Sequence, residues 1–555
     1  MKAVAGALSN DIHNARKNGA PRRWWYFLGI AAVVSVLLAN TVVTEREGAW
    51  EDEIFAVSTA WSIVHSKPPV LSVLAQYPGT GSPVRFYGPV SFEAEALLIR
   101  AFGLSATAWR LACLAGVILS IWASLRLVKL AGGDKGAQFV TALVIALSGS
   151  VAPFPGRWDA VTSGLFLTGL LFFLRAAEST GKALFGWIGA AGVCIGFALA
   201  SSPRALTLVL ATLIAAVLVS LCFRSIWKRV MLGSLGTFAV AALVQTLLLL
   251  PSGENSISWY LYLKRATRTD QINATPLIGQ GGWNLDWHHH KSLVILFVLL
   301  FIIFVYGAIA QLRSRLYPAK LWLKVFLAFF ALVNLVAMLV LLANALGQSP
   351  FWLPPAVAAF TCWVNWDFPE DKKLGAVAIS LIGICVALLL FQEVEQLASV
   401  VLTWNRRSTD RLRKFVEVNV PNGATVYGPI GRYFYAVELS GRQYLYTHEQ
   451  TTPGLYSENQ SPIANRLDAQ ICSHPTYAIW SKTDPIHQPQ EESMPEALRD
   501  RLDTKVGEFD QPPLTAWAAL VLAKVGEIGG KYGFPDAEIY SLRSLTPCPN
   551  KSAEQ

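Results

Sequence analysis

The sequence predicts a polytopic α-helical membrane protein, with about 11 transmembrane helices followed by a C-terminal extracytoplasmic α/β domain. Three observations carry that expectation. Of 555 residues, 53% are hydrophobic and only 15% are charged, where a soluble protein carries about 25% charged residues. Apolar runs of about 20 residues, enough to cross about 30 Å of hydrocarbon, recur up to residue 393. From residue 394 the composition turns polar. The same figures exclude intrinsic disorder, because so much apolar surface collapses in water. Seven cysteines over this length also exclude a disulfide scaffold. The net charge of +9 does not by itself imply nucleic acid, because membrane proteins gather Lys and Arg in their cytoplasmic loops.

The first apolar run, 24–43, follows a basic tail (1–23) with Lys2, Arg16, Lys17, Arg22 and Arg23. It is long for a signal peptide and no small-residue cleavage site follows, so it reads as a retained helix with a cytoplasmic N-terminus. Further runs lie near 107–128, 137–152, 160–175, 184–201, 205–222, 230–250, 291–311, 322–345, 353–366 and 374–393. With the N-terminus inside, every inside loop is basic, from Lys129 and Lys135, through Arg224, Lys228 and Arg229, to Lys372 and Lys373. The group Arg313, Arg315, Lys320 and Lys324 also falls inside, and the short outside loops hold at most one Arg each. That alternation is what the positive-inside rule demands. Three parts then face outward: loops 44–106 and 251–290 of the transmembrane domain (24–393), and the tail 394–555. The tail combines candidate helices at 406–418 and 514–526 with strand-like runs at Thr425-Val-Tyr, Gln443-Tyr-Leu-Tyr and Tyr477-Ala-Ile-Trp. Pro421-Asn-Gly, Gly441 and Pro453-Gly punctuate them as turns. The apolar run 514–525 is too short to span a bilayer and reads as a core helix.

Chemistry is suggested at the outer helix mouths. The first outer loop opens with Trp50-Glu-Asp-Glu-Ile-Phe, and Ile54, Val57, Trp61 and Val64 follow at helical spacing. This predicts an amphipathic helix able to lie in the membrane interface. Its acidic residues either favour the positive end of the helix dipole or serve a reaction. Arg157-Trp158-Asp159 stands at the mouth of a later span, where Asp159 is either an N-cap or a second functional carboxylate. Paired carboxylates there could deprotonate an acceptor hydroxyl and hold a divalent cation. In the 251–290 loop, Lys264, Arg265 and Arg268 suit a lipid phosphate or anionic headgroups. Of the run His288 to His290, consecutive residues cannot all face one ion, so a single metal ligand, His288, is the candidate. Arg204, after Pro203, is a further phosphate candidate. Five cysteines fall in apolar runs, and Cys472 and Cys548 could pair if the space outside is oxidising. Walker, Rossmann and nucleophile-elbow patterns have no suitable context.

The arrangement resembles the GT-C superfamily of membrane glycosyltransferases, and most of all its branch of lipid A aminoarabinose transferases and protein O-mannosyltransferases. Three segments within residues 24–180 carry the resemblance. They are Asp52-Glu53 at the start of a first-loop helix; Tyr87-Gly-Pro-Val-Ser-Phe, then Phe102-Gly103 and Ala108-Trp109-Arg110-Leu111; and Arg157-Trp158-Asp159, similar to the family's Arg-x-Asp. One departure is that the aminoarabinose transferases carry a Lys before a Pro pair where this chain has only Pro89. The phosphate contact of that Lys must then come from elsewhere; Arg85 is the candidate, its other reading being a snorkelling interfacial arginine. The resemblance implies an integral membrane transferase; a bacterial inner membrane and cell envelope are taken as its setting, although a lumenal orientation in a eukaryote gives the same charge pattern. The transferase would take sugar from a polyprenyl-phosphate donor to a glycan, lipid or protein acceptor in the periplasm, inverting the anomeric centre. Asp52 would be the general base, with Glu53 and Asp159 orienting it or holding a divalent ion. Arg85, Arg204, Lys264, Arg265 and Arg268 would meet the donor phosphate. The rival class is a lipid or glycan transporter or flippase, which places ionisable groups near the bilayer midplane rather than at its edge. A non-catalytic anchor for an outer domain would need neither so many spans nor acidic loop mouths.

Overall fold

The computed structural model describes residues 31–37, 51–67, 89–147, 158–202, 204–249, 295, 298–309, 320–341, 349–364, 372–429, 433–446, 463–482, 494, 496–525 and 536–548. In the first outer segment lie α1 (Glu51–Val64) and α2 (Pro89–Phe102). The membrane part continues with α3 (Ala106–Leu130), α4 (Lys135–Leu147), α5 (Asp159–Glu178), α6 (Lys182–Ser201), α7 (Ala205–Cys222) and α8 (Trp227–Leu249). It ends with α9 (Leu321–Leu341), α10 (Ser349–Thr361) and α11 (Lys372–Leu402). Among the described residues, α3, α5, α6, α7 and α8 are long and apolar enough to cross a membrane by length and composition. Shorter apolar helices occupy Lys135–Leu147, Val298–Ile309, Leu321–Ala337, Phe351–Thr361 and Ser380–Phe391. Each overlaps a run picked out from hydropathy. Lys324, expected in a basic loop, is instead buried in the first turn of α9 with its ammonium 5.8 Å from the centre of the Trp363 ring.

Local sequence sets the helix limits near the outer mouth. Ser105 caps α3, its hydroxyl accepting from the Thr107 N–H at 3.1 Å. Just before it, Gly103 ends α2 with φ +79°, a left-handed turn that a side chain resists. The helices α3 and α5 then cross with almost no gap. A Cβ on Gly116 would sit 2.4 Å from the Val161 nitrogen, and one on Gly164 would sit 2.6 Å from the Gly116 oxygen. Small residues at such crossings allow backbones to touch within a bilayer. This crossing holds the start of α5, with Asp159, against the second turn of α3, with Arg110. Gly164→Val is therefore expected to lower stability by about 1–3 kcal/mol through overpacking. Thermal melts in detergent check this, with Gly186→Ala, which adds a Cβ in open space within α6, as the control that does not lower the melt.

The C-terminal residues form a five-stranded sheet in the order β2-β1-β3-β5-β4. Its strands are β1 (Thr425–Gly428), β2 (Gln443–Tyr446), β3 (Thr476–Ser481), β4 (Leu502–Phe509) and β5 (Ala537–Leu542). Parallel pairing joins β1 to β2 and β3, and antiparallel pairing joins β5 to β3 and β4. Side-chain alternation divides the faces. Tyr427, Leu445, Ala478 and Trp480 point to one side, towards α14 (Ile463–Ser473) and α15 (Glu496–Arg499). Val426, Tyr444, Ile479 and Ile539 point to the other, towards α12 (Thr409–Asn419) and α13 (Phe434–Leu439). The core on this second side runs on without a break into Ile54, Val57, Phe92, Ile99 and Trp109 of α1, α2 and α3. Sheet and outer loop thus share one core. Cys472, at the end of α14, is disulfide-bonded to Cys548, 76 residues on. Strand-like runs expected at 425, 443 and 477 are β1, β2 and β3. A last helix, α16 (Ala516–Val525), occupies the expected apolar run, but it is not a core helix: Trp517 and Leu520 are 66% and 60% exposed.

Candidate active site

The helix α1 is not an amphipathic helix lying free in the membrane interface. Ile54, Ala56, Val57, Ser58, Thr59 and Ala60 are all buried, because α2 packs along it and the sheet unit covers it. Among the described residues of the loop, the exposed large apolar side chains are Leu97 and Phe102 of α2.

At the start of α1, the Glu53 carboxylate is fully buried and completely engaged on two sides. Arg110 of α3 donates from Nη2 at 2.9 Å and from Nε at 3.2 Å to Oε2. Tyr435 of α13 donates its hydroxyl at 2.7 Å to Oε1. Both partners come from elements remote in sequence, so the cluster ties loop, span and C-terminal sheet together. Burial, and then the Glu53 charge, push the Tyr435 phenol well above its ordinary value, so it remains the donor. Such a pair in low dielectric is costly to form and costlier to break.

A further carboxyl, Glu95 of α2, is 1% exposed, and neither oxygen has a hydrogen-bond partner among the described residues. Burial, then the neighbouring Glu53 charge, raise it well above the usual carboxylate range. Cys113, one turn beyond Trp109 on α3, is buried in the same core as the start of α1 and as Phe92 and Ala96 of α2.

Asp159 opens α5 and is fully buried, with Arg204 Nη1 at 3.1 Å from its Oδ2. The residues flanking these charges stack: the rings of Trp109 and Trp158 lie 5.0 Å apart at 20°. About two turns beyond Glu53 on α1, Trp61 donates its indole N–H at 3.1 Å to Glu438 of α13, which also accepts from the Tyr444 N–H at 2.8 Å.

Glu438 gives the docking of α13 a pH dependence. Burial pushes its carboxyl up to about 7, against the Tyr444 and Trp61 donors and the Lys67 charge, which pull it down. A folded-state value above the unfolded one adds stability at low pH, and that increment is lost as pH rises through about 7. Melting temperature is thus expected to fall between pH 5 and pH 8 by a margin that Glu438→Gln removes. Parallel melts of both proteins check this, and equal slopes would refute it.

Of the expected site residues, Glu53, Asp159 and Arg204 are brought to one end of the helices. For Asp52 the described part is its backbone, in the first turn of α1 next to Glu53. Arg85, Lys264, Arg265, Arg268 and His288 lie outside the described residues. Glu53 and Asp159 are the described members of the expected metal-holding set. Each carboxylate is engaged by an arginine, and among the described residues no three His, Cys, Asp or Glu side chains form a metal-binding group. Sequence reasoning passed over Arg110, Glu95 and Tyr435 as site residues. Arg110 had a signal, as a lone charge in the second turn of an apolar helix; Glu95 and Tyr435 had none.

Solved structures share this architecture. ArnT from Cupriavidus metallidurans in the apo state is 14% identical, with 94% of this chain and 98% of that chain covered and a TM-score of 0.54. The same protein bound to undecaprenyl phosphate is 13% identical, with 93% and 98% covered and a TM-score of 0.51. The arabinofuranosyltransferase AftD from Mycobacteria is 14% identical, with 95% of this chain but 40% of that chain covered and a TM-score of 0.50. No family model and no curated protein matches the chain. The chain thus shares its overall fold with these solved membrane proteins.

Proposed function

We propose that the chain is an integral membrane glycosyltransferase that moves a sugar from a polyprenyl-phosphate donor to an extracytoplasmic acceptor hydroxyl, with inversion. In this reading the N-terminus is cytoplasmic, about 11 helices span a bacterial inner membrane, and residues 394–555 stand outside. The observation that supports it best is a GT-C fold whose first-loop helix carries Asp52 directly beside the buried Glu53–Arg110–Tyr435 cluster. The undecaprenyl phosphate of the ArnT structure supports the donor class.

In the proposed reaction the Asp52 carboxylate takes the proton of the acceptor hydroxyl. The acceptor oxygen bonds to the anomeric carbon from the face opposite the phosphate. The bond from that carbon to the phosphate oxygen breaks, and its electron pair leaves with the lipid phosphate. Glu53 does not touch the substrate; clamped by Arg110 and Tyr435, it fixes the turn that presents Asp52. Asp159 holds Arg204 at the same mouth. Arg204, with Arg85, Lys264, Arg265 and Arg268, would meet the charge developing on the phosphate, and positive groups fixed there in advance lower the barrier.

The charges buried in the helices support surface chemistry rather than passage through the bilayer. Asp159, Arg110 and Lys324 all lie in the first or second turn of their helices. The test is purified protein in liposomes, given a panel of radiolabelled polyprenyl-phosphate sugars and an envelope extract as acceptor. Label in a new glycoside with inverted configuration supports the reading. No transfer from any donor overturns it and moves the flippase reading ahead.

A further inference from the structure

We propose that α16 is a membrane-interface helix, whose apolar outer face around Trp517 and Leu520 is seated in the headgroup region of the bilayer and anchors the C-terminal sheet to it. Its sequence, AWAALVLAKV, has one charge in ten residues. At about 15 Å it cannot cross a bilayer, and such a helix would ordinarily be buried in protein. It is not. Of the side chains described from 516 to 521, Ala518 alone is buried, while Trp517 is 66% and Leu520 60% exposed.

What covers this face is indicated by its neighbour. The helix α16 packs against α11. Along α11, Ile384, Phe391, Val394 and Val401 are exposed, as lipid-facing side chains of a spanning helix are. The apolar stretch of α11 ends at Gln392-Glu393-Val394-Glu395, yet the helix continues to Leu402. Its 31 residues make about 46 Å at 1.5 Å each, against about 30 Å of hydrocarbon. The surplus turns rise through the headgroup layer, and α16 leaves the chain shortly after Pro512, which lines one groove with Trp404 just past the end of α11. An indole, with its apolar body and polar N–H, suits that depth. A lipid-seated α16 would hold the sheet, and through it Tyr435, at a fixed height above the bilayer.

The inference rests on the membrane-spanning reading of α11. The test keeps the two apart. A solvatochromic fluorescent amino acid is placed by amber suppression at Leu520, at Val418 on the water-facing side of α12, or at Phe391 on α11. The full chain is reconstituted in brominated phosphatidylcholine vesicles. All three positions are exposed, so folding should tolerate each. The expected result is blue-shifted, bromolipid-quenched emission at Leu520 and Phe391, and iodide-quenched, unshifted emission at Val418. Water-like emission at Leu520 with quenching at Phe391 overturns the proposal for α16. Water-like emission at both overturns the spanning reading beneath it as well.

Discussion

Replacing Asp52 by Asn is expected to lower glycosyl transfer by about 10²–10⁴-fold, the range a positioned general base contributes, with the melting temperature unchanged. The amide keeps the shape and polarity of the side chain at the helix start but cannot take a proton at neutral pH. Its neighbour Glu53 cannot substitute, since both of its oxygens are occupied by Arg110 and Tyr435. The deficit should fall on kcat rather than on KM for the donor, because deprotonation belongs to the transition state and not to binding. Steady-state kinetics on the purified variant checks the split. Wild-type kcat in Asp52→Asn would remove Asp52 from the chemistry and return it to a helix-dipole role.

Arg110→Leu is expected to cost about 3–5 kcal/mol of stability, because it strands the Glu53 charge in a fully buried site. Both side chains are fully buried, so neither can relax into solvent. The double variant Arg110→Leu with Glu53→Gln should recover much of that loss, since removing both charges removes the unpaired one. Activity should not recover with stability, because the clamp on the turn bearing Asp52 is gone in both. Thermal melts of the three proteins, paired with transfer rates, check this. An Arg110→Leu protein that melts like wild type would mean the pair is not isolated from solvent. Tyr435→Phe removes one hydrogen bond from the same cluster and should have a smaller effect of the same sign.

The membrane part was legible because lipid imposes a length and a hydropathy that a single chain must display segment by segment. The runs from 107 to 250 and α9 to α11 needed no tertiary information. The candidate site was legible as far as it followed from position: Asp52, Glu53 and Asp159 at helix starts, and Arg204 after Pro203. Its wiring was not. Tyr435 lies 382 residues from Glu53, and nothing local to either residue announces the other. Glu95 sits in an ordinary helical pattern, and only the closure of α1, α2 and the sheet around it makes it a buried acid. Two local readings failed for one reason, that a helix's own pattern does not say what will cover it. The pattern of α1 suggested a face open to the membrane interface, but the C-terminal sheet covers it. The pattern of α16 suggested a core, but the protein leaves it bare.

The most direct test of the central claim is to follow the donor lipid itself. Purified protein in sealed liposomes receives a doubly labelled polyprenyl-phosphate sugar and an excess of acceptor, and free lipid phosphate and glycosylated product are counted together. The proposed transferase releases one polyprenyl phosphate for each glycoside formed, and forms neither in Asp52→Asn. Sugar-lipid that changes leaflet with its phosphate bond intact, at the same rate in both proteins, would contradict it and make the chain a transporter.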